Sequence, residues 1–264
     1  MKQSQAKKRD NAMTNKILMG LIALVLGLLF LEILIVHSKN EQQKNASNQV
    51  QTARIMANGD LLYHDGLYMS ALQADGSYDF TENFTYVKPW LKQADLVLGD
   101  FEGTINPDYP LSGYPLFNAP QSVTAAIKDA GYDVMDLAHN HILDSGLEGA
   151  FTTADAFKKV GIDPIGVYEK PVRDKAPLLI KNVNGIKVAI LSYAYGYNGL
   201  ESNLTDKEVA DHLSNLDEKR MKAEIQRAEK EADITVIMPQ MGVEYRLEPT
   251  DEQVKLYHKM IDWG

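Results

Sequence analysis

The chain opens on an abrupt change of pattern. Residues 1–16 are polar, with Lys2, Lys7, Lys8, Arg9 and Lys16 set against Asp10. Ile17–Val36 is then almost continuously apolar: only Gly20, Gly27 and Glu32 interrupt 17 apolar side chains. Twenty helical residues rise about 30 Å, the thickness of a bilayer's hydrocarbon core. The run predicts a membrane-spanning helix with its basic flank on the cytoplasmic side. A cleaved signal peptide has a shorter apolar region that ends at a small-x-small site. This run instead exits into His37-Ser-Lys-Asn-Glu41, so an uncleaved signal anchor is expected. Glu32 lies near its outer end, within reach of headgroups. His37–Thr52 keeps only Ala46 and Val50 as apolar residues and reads as a polar tether.

Beyond residue 52 the pattern turns to short elements. Arg54–Asn58, Asp95–Gly99, Tyr132–Ala138 and Ile234–Met238 read as strands. Pro120–Ala130 sets Val123, Ala126, Ile127 and Ala130 on one helical face and is capped by Gly131. Helix Leu147–Val160 carries a stripe of Leu147, Phe151, Ala154 and Phe157 and is capped by Gly161. Helix Leu216–Ala232 is charged apart from Met221, Ile225, Ala228 and Ala232. Phe84–Leu91 is amphipathic, but Pro89 makes any helix there irregular. Ala176–Lys181 and Lys187–Ser192 flank Asn184-Gly185, a hairpin turn signal. Thr250-x-x-Gln253 has the form of a capping box opening a last helix. Strands alternating with helices, plus one hairpin, predict an α/β fold that is mostly parallel with an antiparallel portion.

Composition narrows the chemistry. The 264 residues contain no cysteine, which excludes disulfides, thiolate metal sites and thiol catalysis. The net charge of -9 divides into +4 for the head, -1 for the span, +1 for the tether and -13 for Ala53–Gly264. So acidic an outer domain is no nucleic-acid binder.

Polar clusters fall where strands end: Gly59-Asp60 to His64-Asp65, Asp100-Phe101-Glu102, His139-Asn140-His141 to Asp144, and Gln240 to Glu244-Tyr245. In a parallel α/β sheet ligands bind beyond the carboxyl ends of the strands. Each cluster alone is compatible with a turn or a helix cap; four at one edge point to a site. Carboxylates, imidazoles and an Asn carbonyl suit Mn, Fe(II), Zn or Mg without choosing among them. Neither a Gly-x-Ser-x-Gly elbow nor a Walker loop is present. His212 and His258, in charged helical segments, read as solvated.

In this order and spacing the clusters resemble the CapA (PgsA) family of bacterial poly-γ-glutamate capsule biosynthesis. Gly59-Asp60-Leu61-Leu62 matches its Gly-Asp-(Ile/Val)-Met, and Asp100-Phe101-Glu102 its Asn-(Leu/Phe)-Glu. Ala138-His139-Asn140-His141-x-x-Asp144-x-Gly146 matches Ala-Asn-Asn-His-x-x-Asp-x-Gly. Gln240-Met241-Gly242-x-Glu244-Tyr245, with Pro249 and Gln253, matches His-Trp-Gly-x-Glu-Tyr and Pro-x-x-x-Gln. Gln240 thus replaces a histidine. The family continues past the point reached at Gly264 with a strand and a Gly-x-His-Pro-His segment, so the 53–264 domain is expected to be incomplete at its C-terminus.

The resemblance implies a calcineurin-like metallophosphatase fold, a layered αββα sandwich with mixed sheets. It implies a divalent metal held by Asp60, Glu102, Asn140 and His141, with His139, His64 and Glu244 as catalytic candidates and Gln240 and Asp144 on the substrate. Its partners would be the membrane, other capsule synthase or export subunits, and an acidic polymer. Two roles follow: a membrane-anchored accessory protein for a poly-γ-glutamate-type polymer, which is the reading favoured, or a metal-dependent hydrolase or transferase acting on an amide or phosphoester.

Overall fold

The computed structural model describes residues 28, 31–39, 50–170 and 176–264, in two units, residues 1–51 and 52–264. In the first, residues 31–39 are helical and leave Leu31, Ile33, Leu34, Ile35 and Val36 exposed. Among the described residues no helix is long and apolar enough to cross a membrane. The span read over 17–36 lies mostly outside the described residues, as do the head 1–16 and residues 40–49 of the tether.

The second unit is an α/β domain. Its order is β1 (Ile55–Asp60), α1 (Asp65–Ala71), α2 (Lys88–Leu91), β2 (Leu96–Asp100), α3 (Val123–Ala130), β3 (Val134–Asp136), α4 (Gly146–Lys159) and β4 (Asp163–Ile165). Then come β5 (Leu179–Val183), β6 (Ile186–Ala194), α5 (Asp206–His212), α6 (Glu218–Glu231), β7 (Ile234–Gln240) and α7 (Asp251–Trp263). β1-β2-β3-β4 form one parallel sheet. β5-β6-β7 form a second, in which the β5–β6 hairpin is antiparallel and β6–β7 parallel. The expected mixture of parallel and antiparallel pairing is therefore present, distributed over two sheets.

Side-chain alternation along the strands builds the layers. Leu96 and Leu98 of β2 and Val134 of β3 pack against Val188 and Ile190 of β6, with Val236 and Met238 of β7 alongside, filling the space between the sheets. Val97 and Met135, one residue out of phase, join Val123 and Ile127 of α3 and Phe157 of α4 on the outer side of the first sheet. Ala189, Leu191 and Tyr193 face Met221, Ile225 and Ala228 of α6 and Met260 of α7 on the outer side of the second. The apolar stripes read from the sequence are these buried faces.

Local signals account for most element ends. Gly131 and Gly161 have positive φ and terminate α3 and α4 as expected. Asn184 and Gly185, both at positive φ, make the hairpin turn. The Thr250–Gln253 capping box forms in both directions at the start of α7. The 84–91 stretch splits into a 3-10 turn at Thr81–Phe84 and the single turn of α2, where Pro89 occupies the first helical positions. α1, β4 and α5 are additions to the expected elements. β4 is three residues long with Pro164 at its centre, too short to show alternation, and lies at the sheet edge where proline is tolerated.

Candidate functional site

The carboxyl ends of β1, β2 and β3 place three aspartates abreast. Asp60 pairs in register with Asp100, and Asp100 with Asp136. Asp100 and Asp136 lie two residues on from Leu98 and Val134 and so share their face, toward the second sheet. β1 reaches the same alignment through an irregularity: Ala57 pairs with Leu98 yet Asp60 pairs with Asp100, so β1 holds one extra residue. Such a bulge re-aims the following side chain, and Asp60 accordingly meets Asp100. A cleft of about 420 Å³ between the sheets is lined by Asn58, Asp60, Asp100, Asp136 and Gln240 among others. Asp100 is 7% exposed, and its Oδ1 is buried without a hydrogen-bond partner. Burial first, then the charges of Asp136, Asp60 and Glu102, push the Asp100 carboxyl far above the usual carboxylate range. Burial also raises Asp136. Glu102 is raised by burial and then by Asp60.

The loop after β3 supplies the imidazole. Gly166 lets the backbone close behind it: a Cβ there would lie 2.6 Å from Ala138 N, at a φ of +94°. His141 Nδ1 lies 2.7 Å from Asp144 Oδ2, which also accepts from Phe117 N at 2.6 Å. The Phe117 ring meets the His141 ring edge-on at 4.8 Å. With Nδ1 bound to a carboxylate, Nε2 faces Asn198 Nδ2 at 3.4 Å and lies 4.0 Å from Glu102 Oε1. Burial opposes charge on this ring, but the hydrogen bond and charge of Asp144, with Glu102 and Glu244, raise its pKa overall. Asn140 is tied across the sheets to Gln240 by a reciprocal pair: Asn140 N donates to Gln240 Oε1 at 2.7 Å and Gln240 Nε2 to Asn140 Oδ1 at 2.9 Å. Asn140 Nδ2 donates to Asn198 Oδ1 at 3.1 Å.

Of the expected site residues, Asp60, Glu102, Asn140, His141 and Gln240 come together. Asp144 joins them differently: its carboxylate is 1% exposed, and one oxygen, Oδ2, is taken by His141 Nδ1 and Phe117 N, while Oδ1 is buried without a partner. His139, expected as an acid–base group, is 0% exposed. Burial and the neighbouring His141 hold its pKa down to about 3, and its Nδ1 accepts from His141 N. A ring so enclosed does not exchange protons near neutrality. His64 stands at the rim, exposed and paired with Asp65, its ring 5.6 Å from Phe117. Glu244 is exposed after β7 and acts on His141 and Tyr195 through its charge. Away from the site, His212 is half-buried, with Nδ1 2.6 Å from Tyr168 O and its ring against Phe151, which corrects its reading as solvated. His258 is exposed as expected.

Sequence reading passed over Asp136, Asn198 and the structural part of Phe117. Asp136 had a signal, a carboxylate inside the apolar run Val134-Met135-Asp136-Leu137. Asn198 and Phe117 sit in loops without one. Among the described residues no three His, Asp or Glu side chains are already gathered as a metal centre. The donor chemistry nevertheless fits a hard divalent cation: buried carboxylates oppose one another, Asp100 Oδ1 is unpartnered, and no described lysine or arginine pairs with Asp60, Asp100 or Asp136.

The chain is 30% identical over 190 residues to the capsule biosynthesis protein CapA of Bacillus anthracis, covering 69% of this chain and 45% of that one. It is 26% identical over 260 residues to the PGA biosynthesis protein CapA of Bacillus subtilis (strain 168), covering 97% and 66%. The chain thus spans about half to two thirds of the length of these relatives. In fold it is similar to a solved candidate 5′-nucleotidase from Staphylococcus aureus in complex with α-ketoglutarate, with a TM-score of 0.51, 15% identity, and coverage of 80% of this chain and 43% of that one. Residues 54–264 match the family described as bacterial capsule synthesis protein PGA_cap, and the chain belongs to that family.

Proposed function

We propose that this chain is a membrane-anchored accessory protein for synthesis or export of a poly-γ-glutamate-type capsule polymer, and that it meets the polymer through a divalent cation. The observation that carries this reading is the row Asp60, Asp100 and Asp136, three carboxylates abreast with no basic partner among the described residues. A domain of net charge -13 repels a polyanion. A cation held at the carboxylate edge reverses that sign locally. Asp60, Asp100 and the Asn140 carbonyl would hold it, with Glu102 beside them. The 17–36 run supplies the anchor in this reading, and synthase or export subunits in the membrane are its partners.

A second reading, a metal-dependent hydrolase or transferase, is favoured by one feature: the His141–Asp144 pair. Asp144 keeps the proton on Nδ1 and leaves Nε2 toward Glu102 and Asn198, the arrangement of an oriented acid–base group. A bound divalent ion would polarise a phosphoryl or carbonyl oxygen there. His64 and Glu244 stand at the rim, where they would meet the flanking parts of a substrate.

The test is retention of the purified chain on immobilised poly-γ-glutamate, with and without Mn2+. Cation-dependent retention abolished by Asp60→Asn is expected. Equal retention with chelator present would refute the bridging role. Turnover of chromogenic phosphoesters or of the polymer itself, lost in His141→Ala, would move the assignment to the enzyme reading.

A further inference from the structure

We propose that Asp136 is a ligand of the cation site, extending it from the open ends of β1 and β2 into the space between the two sheets. The inference rests on the reading that the carboxylate edge binds a divalent cation, and concerns a residue outside the motifs that led to it. Asp136 is 2% exposed and lies on β3, an interior strand of the first sheet, directly beside Asp100. Adjacent strands are about 4.8 Å apart, so the two carboxylates share one face at that spacing. One carboxylate oxygen, Oδ1, accepts from Ala138 N at 2.7 Å, which fixes the group. Opposite, on β6 of the other sheet, Ser192 is likewise buried, and its hydroxyl lies against the Asp136 carboxyl as a donor.

Two independent observations point inward to the same spot. Asp100 Oδ1 is buried and unpartnered beside Asp136, and the cleft lined by both, about 420 Å³, has room for an ion and its bound waters. A buried polar oxygen without a partner is costly unless something fills its lone pair. Further lone pairs around it belong to the neighbouring aspartates and to Asn58 Oδ1, also buried and unpartnered. Once the carboxylates are ionised, all of these oxygens are acceptors. A group of facing carboxylate and amide oxygens is completed by a cation with oxygen preference, such as Mn2+ or Mg2+. Packing alone would have favoured an apolar side chain at position 136, in line with Val134 on the same face.

The test is Mn2+ binding by the full chain in detergent, followed by calorimetry and by Mn2+ electron paramagnetic resonance, for the wild type, Asp136→Asn and Asp60→Asn. Asparagine keeps an acceptor for Ala138 N, so the fold is retained while the charge goes. Asp136→Asn is expected to weaken Mn2+ binding by about tenfold or more and to change the resonance of the bound ion. Unchanged affinity in Asp136→Asn with a loss in Asp60→Asn would overturn the assignment of Asp136 and leave the cation reading standing. A wild type that takes up no Mn2+ would overturn both. Should Asp136→Asn fail to fold, the anomalous scattering of Mn2+ in wild-type crystals decides: a peak within bonding distance of Asp136 is expected, and one bonded only to other residues overturns the proposal.

Discussion

Asp144 and Asn118 look alike in the sequence, each a single polar residue in a loop, yet they organise the site in different ways. Asp144 binds His141 Nδ1 and Phe117 N, joining the imidazole to the loop that covers it. Since its hydrogen bond and charge raise the His141 pKa, Asp144→Asn should lower that pKa, as read from the imidazole proton shifts in a pH titration. An unmoved value would mean that Glu102 and Glu244 govern the ring. Asn118 is buried and holds Asn106 N on its Oδ1, while its Nδ2 faces the carbonyls of Asn106, Tyr109 and Pro110. Asn118→Ala strands these groups together, and a loss of about 2–4 kcal/mol is expected in urea unfolding.

At the scale of elements, capping and turn chemistry carried the local reading, and its gaps follow from element size. α7 begins at Thr250, whose hydroxyl accepts from Gln253 N while the Gln253 side chain accepts from Thr250 N. Thr250→Ala should cost about 1 kcal/mol, or roughly 2–4 °C in Tm, and Thr250→Ser should restore most of it. α5 has the same signature, Thr205 with Glu208, which was legible but is followed by a stripe too short to register as a helix. β4 and α1 lack both length and alternation. The bulge in β1 belongs here too. Nothing in Ala57-Asn58-Gly59-Asp60 announces that one residue is extra; only pairing with β2 shows it, and that pairing turns Asp60 toward Asp100.

For the whole molecule, the carboxylate row links stability to pH and to cations. Asp100, Asp136 and Glu102 have raised pKa values in the folded state, so they stay protonated there after the unfolded chain, near 4, has lost those protons. Stability from a raised acid is present at low pH and lost as pH rises toward the folded value. His139 has the opposite effect: its lowered pKa destabilises the fold only below about 6.5, where the unfolded ring charges. The surface aspartates with lowered values, such as Asp65 and Asp129, are ionised in both states above about pH 5 and add no slope. Cation-free protein should therefore lose stability between about pH 6.5 and 8, and Mn2+ should remove that decline. Thermal melts across this range, with and without Mn2+, check both statements. A cation-free stability that rises with pH would contradict the buried carboxylate row.

The sequence by itself determined the α/β class, the apolar faces of the helices, the hairpin, the caps and the gathering of polar clusters at strand ends. Those features depend on neighbours within a few residues, or on periodicity that one segment carries alone. Tertiary structure decided which polar residues share a face and which are shut away. It aligned Asp136 with Asp60 and Asp100, buried His139, spent Asp144 on His141, and tied Gln240 to Asn140 over a separation of 100 residues. Strand register and sheet-on-sheet packing set these outcomes, and both arise from contacts between segments distant in the chain. The charge of a carboxylate is written in the sequence; its neighbours and its burial come only with the fold.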